Sequence, residues 1–258
     1  MTFVIIKAYN GGGMFSVFDN ILDNVANSFQ GRYDTINGFK ILIPKGHYIK
    51  DEHFFDALFD YTNIEENPII LEPRHLGFRL AYSSPHYNAM RTILFKNKIN
   101  PTIHSSIEAY KQQFQINENT LAIHMRLTDM NTIHGVVHGV RTFDDFCNKL
   151  NQLVQKNPNI DSIYVCSDNS ESIQKLCNIY SSKYKIHYIK DTVRVAKENI
   201  NSMSTVIDQY NTEPNMATDL FTELLIASSC SYFIYRKSSF ANLAILYSNT
   251  FKVVECIN

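Results

Sequence analysis

Apolar residues recur along this chain in two alternating rhythms. Short β-branched runs give way to longer segments whose apolar positions fall three and four apart, the spacing of one helical face. Phe3 to Ile6 reads as a buried strand, the glycine run Gly11, Gly12 and Gly13 follows it, and MFSVFDNILDNVANSF (14–29) then places Phe15, Phe18, Ile21, Leu22 and Val25 at helical spacing. FKILIP (39–44) is a second strand, closed by Pro44 and Gly46. HFFDALFDY (53–61) has helical spacing and NPIIL (67–71) reads as a strand, while residues 88–115 carry helical spacing interrupted at Pro101.

The alternation then restarts. LAIHM (121–125), SIYVCSD (162–168), KIHYI (185–189), SYFIY (231–235) and FKVVEC (251–256) read as strands. Between them lie helical segments at 142–157, 170–184, 217–230 and 238–248. Strands alternating with helices imply right-handed crossovers and parallel sheets, hence an α/β class. A boundary near residues 115–120 divides the chain into two facing Rossmann-like domains, 1–117 and 118–258. In such sheets ligands bind beyond the carboxyl ends of the strands.

Charge narrows the possible partners. With 24 basic and 25 acidic residues the chain is nearly neutral, so it lacks the long-range field that grips nucleic acid or an anionic membrane. An anion has to be held by local groups. The five cysteines have no CxxC spacing, which fits a reducing compartment. The N-terminal apolar stretch is too short for a signal peptide and no window is long enough to span a bilayer. The expectation is a soluble, cytoplasmic protein.

Two clusters offer chemistry. In LAIHMRLTDM a strand runs into His124, Arg126 and Asp129. Either these point into a cleft, or Arg126 and Asp129 form a structural ion pair beside a satisfied histidine. In YRKSSFANLA, Ser238 and Ser239 start a helix just after Arg236. A helix start favours an anion and Arg236 adds a fork of donors for phosphate oxygens; serine there is also a common helix cap.

Taken with their order and spacing, HMRLTD, YVCSDN and TDLFTELLIASSCSYFIYRKSSFANLA resemble the three successive motifs of the α1,2, α1,6 and protein O-fucosyltransferase superfamily. The resemblance covers residues 115–250 well, and YNGGGMFSVFDN resembles the family's glycine-rich first loop, with Gly12 and Gly13 toward the donor, although the usual Gly-Asn-Gln step is absent. It implies a GT-B-like fold and an inverting, metal-independent enzyme that transfers L-fucose from GDP-fucose to a glycan or protein hydroxyl. The second domain would bind the donor and the first the acceptor. Arg126 matches the family's essential arginine at the β-phosphate, and Asp129 orients it. His124 and Asp219 match the guanine-reading residues, and Ser238, Ser239 and Phe240 match the phosphate-binding Ser-Ser-aromatic position. Asp168 either approaches the nucleotide and fixes a cleft loop, or caps the helix that follows. One departure stands out: Leu127 occupies the place where many members carry a second arginine.

No metal and no further cofactor are expected, because the acidic pair in TFDDF lies inside a helical pattern rather than on a loop after a strand. Candidates for a base acting on the acceptor hydroxyl are Asp19, Asp23 and His75, each of which could equally be a solvated or capping group. A dehydrogenase is disfavoured, since the glycine run lacks GxGxxG and no acidic residue clearly ends the second strand. The remaining alternative is a GDP-sugar or glycan-binding protein that kept the donor clamp and lost catalysis.

Overall fold

The computed structural model describes residues 2–7, 14–29, 36–42, 54–61, 68–71, 84–128, 140–192, 194 and 215–257. They divide into two compact units, Met1–Ser106 with Tyr210–Phe221 and Ile107–Gln209 with Thr222–Asn258. Among them no helix is long and apolar enough to cross a membrane.

In the first unit, β1 (Thr2–Lys7) leads into α1 (Met14–Phe29) and β2 (Ile36–Leu42). A 3-10 turn at Phe54–Ala57 precedes β3 (Phe59–Asp60) and β4 (Ile69–Leu71). Then come α2 (Ser84–Leu94), β5 (Lys98–Ile99) and α3 (Pro101–Gln113), whose second half is grouped with the second unit. The sheet is β2-β1-β4, parallel throughout. Its register skips one residue where Thr2 faces Ile36 and Phe3 faces Gly38. Gly38 sits there at φ 144°, a value that favours glycine at a bulge. Asn97 secures the same place, its side chain bonding the N–H of Phe39 at 2.8 Å and its carbonyl at 2.7 Å.

One difference from the sequence reading has its cause in packing. Residues 54–61 do not form an α-helix: beyond the 3-10 turn, Phe59 and Asp60 pair antiparallel with Ile99 and Lys98. The apolar spacing of Phe55, Leu58 and Phe59 instead serves an aromatic cluster. Phe18 packs 5.9 Å from Phe55 and 5.5 Å from Phe59, and Phe59 lies 5.7 Å from Phe221. Tertiary packing overrides a helical pattern this short. The interruption expected at Pro101 is present, with β5 lying between α2 and α3. α3 restarts at Pro101, where the missing N–H costs nothing, with the Asn100 side chain accepting from Thr102 N–H at 3.0 Å.

The second unit contains β6 (Thr120–Met125), α4 (Phe143–Lys156), β7 (Ser162–Ser167) and α5 (Ser170–Tyr180). β8 (Lys185–His187), α6 (Met216–Ser228), β9 (Tyr232–Arg236), α7 (Ser239–Tyr247) and β10 (Val253–Ile257) complete it, α6 beginning in the first unit. Its sheet is parallel, in the order β10-β9-β6-β7-β8. Every residue of β6 and β7 is buried, as expected of central strands covered on both faces. Leu121, Ile123, Ile163 and Val165 meet Phe146, Leu150 and Leu153 of α4 in one core cluster. The chain builds outward from β6 to β8, then returns to β9 beside β6. That reversal is a topological switch point, where strand ends in such sheets receive ligands.

Candidate functional site

β6 and β9 lie side by side with His124 opposite Tyr235, so the residues leaving both strands emerge together. The His124 ring lies flat on Phe240 of α7, with centroids 4.3 Å apart and planes 8° apart. Burial, and next the Arg126 and Arg236 cations, push the His124 pKa down from 6.5 to about 3. The imidazole is therefore neutral near neutral pH, one ring nitrogen donating and the other accepting. Its Nδ1 has no hydrogen-bond partner among the described residues.

Three consecutive residues at the exit of β6 are held by their backbone. Ser167 Oγ donates to the Met125 carbonyl at 2.9 Å. Arg236 Nη1 donates to the Arg126 carbonyl at 3.1 Å. Leu127 N–H donates to Asp168 Oδ1 at 3.3 Å. Asp168 also accepts from the Thr128 hydroxyl, and its Oδ2 lies 3.9 Å from Arg126 Nε. Arg236 is only 2% exposed, while the Arg126 side chain is 33% exposed. One guanidinium is built into the frame, and the other stands at the surface of that frame. The Leu127 side chain, 1% exposed, packs into the core cluster, so this position adds apolar packing and no cation.

α7 begins at the same edge. Ser238 is its N-cap, its hydroxyl accepting from Ala241 N–H at 3.2 Å, and Ser239 is the first helical residue. Both serines are buried. The bond to Ala241 leaves the Ser238 hydroxyl proton for another acceptor, and the helix start carries partial positive charge.

His124, Arg126, Asp168, Arg236, Ser238 and Phe240 are thus linked by contacts or by strand and helix neighbourhood. Asp168 serves the loop after β6 and does not cap α5; Asn169 does that, accepting from Ser172 N–H at 2.7 Å. Asp219 lies on α6, in the part of that helix grouped with the first unit. Asp129, Gly12, Gly13 and His75 lie outside the described residues. Asp19 and Asp23 of α1 are buried, and Asp23 Oδ1 is 2.5 Å from His86 Nε2. Among the described residues no group of three or more His, Cys, Asp or Glu is arranged to hold a metal ion.

Two residues joined to this network carried no signal read from the sequence. Arg194 pairs with Glu223 of α6, both side chains almost fully buried, at 5% and 3%. Glu223 had a possible tell: a lone charge inside the apolar stretch FTELLIAS has to be buried with a partner. Arg194 had none, because its partner lies far away in sequence.

No protein-family description and no curated protein matches this chain. Solved structures do. The α1,6-fucosyltransferase NodZ from Bradyrhizobium aligns with a TM-score of 0.56 at 10% identity, over 99% of this chain and 96% of that one. POFUT1 in complex with GDP aligns at 0.54 and 10% identity, over 100% and 98%. A mutant of Arabidopsis thaliana FUT1 in complex with GDP aligns at 0.53 and 10% identity, over 98% and 70%. Two parallel-sheet α/β units, the second with its strand order reversing beside β6, give this chain the GT-B-type fold seen in these fucosyltransferase structures.

Proposed function

We propose that the chain transfers L-fucose from GDP-fucose to an acceptor hydroxyl, with inversion at the anomeric carbon and without a divalent metal. The observation that carries this reading is the placement, at the carboxyl ends of the paired strands β6 and β9, of the partly exposed Arg126 and the serine-capped start of α7. It is supported by the fold shared with NodZ, which was soaked with GDP-fucose, and with POFUT1, which was solved with GDP.

The chemistry follows from where charge develops. As the sugar–oxygen bond breaks, the sugar becomes oxocarbenium-like and negative charge grows on the β-phosphate. A fixed guanidinium and helix N–H groups stabilise that charge more in the transition state than in the ground state. Arg126 is the group with room to reach a phosphate. Arg236 and Asp168 hold its backbone still, so little reorganisation accompanies the reaction. The Ser238 hydroxyl and the first turn of α7 take the other oxygens of the diphosphate. His124, neutral and with an unclaimed ring nitrogen, reads the base edge, and Asp219 accepts from the guanine N1–H and its exocyclic amine. The first unit binds the acceptor, a glycan or a protein, and supplies any base.

A nucleotide panel tests this by calorimetry and thermal shift. GDP and GDP-fucose should raise the melting temperature, UDP and CMP sugars should not, and Arg126→Ala should abolish the shift. Equal binding of UDP-sugars would remove the guanine assignments of His124 and Asp219. Fucose release measured with and without acceptor glycans, in EDTA, tests the transfer itself; a product of retained anomeric configuration would reject inversion.

A further inference from the structure

The Arg194–Glu223 pair is the one nearly dry ion pair in the described part of the second unit that the donor chemistry leaves unused. Stability is a poor reason for it, since a buried pair contributes about as much as apolar residues of the same volume, or less. What a guanidinium supplies and an apolar side chain lacks is direction.

Arg194 uses its donors in three directions. Nη2 pairs with Glu223, Nη1 donates to the Thr192 carbonyl at 2.9 Å, and Nε donates to the Ser167 carbonyl at 3.1 Å. Ser167 is the last residue of β7 and is held twice more. Its hydroxyl donates to the Met125 carbonyl at 2.9 Å and accepts from Asn169 N–H at 3.1 Å. Between Ser167 and Asn169 stands Asp168, the carboxylate that receives the Leu127 N–H and the Thr128 hydroxyl and lies beside the Arg126 guanidinium. Asn169 is itself tied into the start of α5 through Ser172. The turn that carries Asp168 is therefore fastened at both ends, to β6 and α5 on one side and through Arg194 to α6 on the other.

We propose that Arg194, seated on Glu223, is a positioning residue for Arg126: it sets the Ser167–Asn169 turn, and through Asp168 it fixes where the Arg126 guanidinium stands. The functional half of this inference rests on Arg126 being the donor-phosphate group; the structural half does not.

The test compares the double variant Arg194→Met/Glu223→Met, which leaves no charge unpaired, with Arg194→Lys, which keeps the charge pair but cannot direct three donors. Three quantities are read: amide hydrogen exchange at Leu127, GDP affinity, and kcat against the donor KM. Both variants should exchange Leu127 N–H roughly ten-fold faster, while Ile123 and Val165 in the sheet interior keep their protection. Turnover should fall roughly ten- to hundred-fold through misplacement of Arg126, with kcat dropping more than the donor KM rises.

Unchanged Leu127 exchange and turnover within two-fold of the parent, in either variant, would overturn the proposal. So would a uniform loss of protection across β6 and β7, which would make the pair a general structural support. If the parent chain binds no GDP, the donor reading fails, and Leu127 exchange still decides whether Arg194 sets the turn.

Discussion

In the first unit the buried acidic groups sit along a helix: Asp19 and Asp23 lie one turn apart on α1, and Asp23 meets His86 of α2. In the second unit the ionisable groups His124, Arg126, Asp168 and Arg236 gather at the carboxyl ends of parallel strands. A polar contact between two helices restrains how they pack. A polar group beyond a strand end at a switch point has an open side where a ligand enters. Under the proposed function, similar residue types serve packing in one unit and donor chemistry in the other.

The sharpest way to break that contrast is a pair of truncations. Arg126→Ala should lower transfer by about a hundred- to thousand-fold, as loss of a preorganised charge-stabilising donor does elsewhere, and should barely move the melting temperature because the side chain is a third exposed. Asp23→Ala should do the reverse, destabilising the fold by about 2–3 kcal/mol by removing one partner of a buried hydrogen bond, with GDP affinity unchanged. Steady-state kinetics, isothermal titration and denaturant melts check both. A melting loss for Arg126→Ala as large as that for Asp23→Ala would erase the distinction.

Much of the second unit was legible because its strands are covered on both faces. LAIHM and SIYVCS are mostly apolar runs, and such runs between amphipathic helices leave little choice of fold. His124, Arg126, Arg236, Ser238 and Phe240 stood out because each falls just where a strand ends or a helix starts. What sequence could not give was the division of labour. Arg236 and Arg126 read alike as cations, yet one is buried in the frame and donates to the other's carbonyl. Asp168 and Asn169 are neighbours that both suit a helix cap, and only packing selects Asn169. In the first unit three of the strands are very short, β3 and β5 spanning two residues each and β4 three. Phe55, Leu58 and Phe59 mimic a helix period while filling an aromatic cluster, so periodicity misleads there.

The contrast also sets a pH dependence. His124 titrates at about 3 in the folded state and near 6.5 when exposed. Between those values the unfolded chain binds a proton that the folded chain refuses. Its contribution to stability is thus complete above pH 6.5 and is lost as pH falls toward 3, with a slope of up to about 1.4 kcal/mol per pH unit. His124→Asn should flatten the stability profile in that window, measured by urea melts from pH 7 to pH 4. The same variant should also weaken GDP binding, because the flat contact with Phe240 and the ring nitrogen go together. An unchanged slope would mean that His124 takes up a proton in the folded state, contrary to a dry site.

The smallest effect is the most discriminating, because the two helix caps it compares are chemically alike. Thr142 and Ser238 both cap helices. Thr142 accepts from Asp145 N–H at 3.3 Å in a reciprocal capping box at an exposed helix start, and Ser238 accepts from Ala241 N–H at 3.2 Å in a buried one. Replacing either with alanine should destabilise the fold by about 1 kcal/mol, whereas glycine at an N-cap costs only about a few tenths. Ser238→Gly therefore removes the hydroxyl while leaving the helix start nearly intact. If that hydroxyl gives its proton to a phosphate oxygen, Ser238→Gly should weaken GDP about five- to ten-fold, the net worth of one ordinary hydrogen bond. Thr142→Gly should leave GDP affinity at the parent value. Equal GDP affinity in Ser238→Gly and the parent would reduce Ser238 to a helix cap, leaving Arg126 and the N–H groups of α7 to hold the diphosphate by themselves.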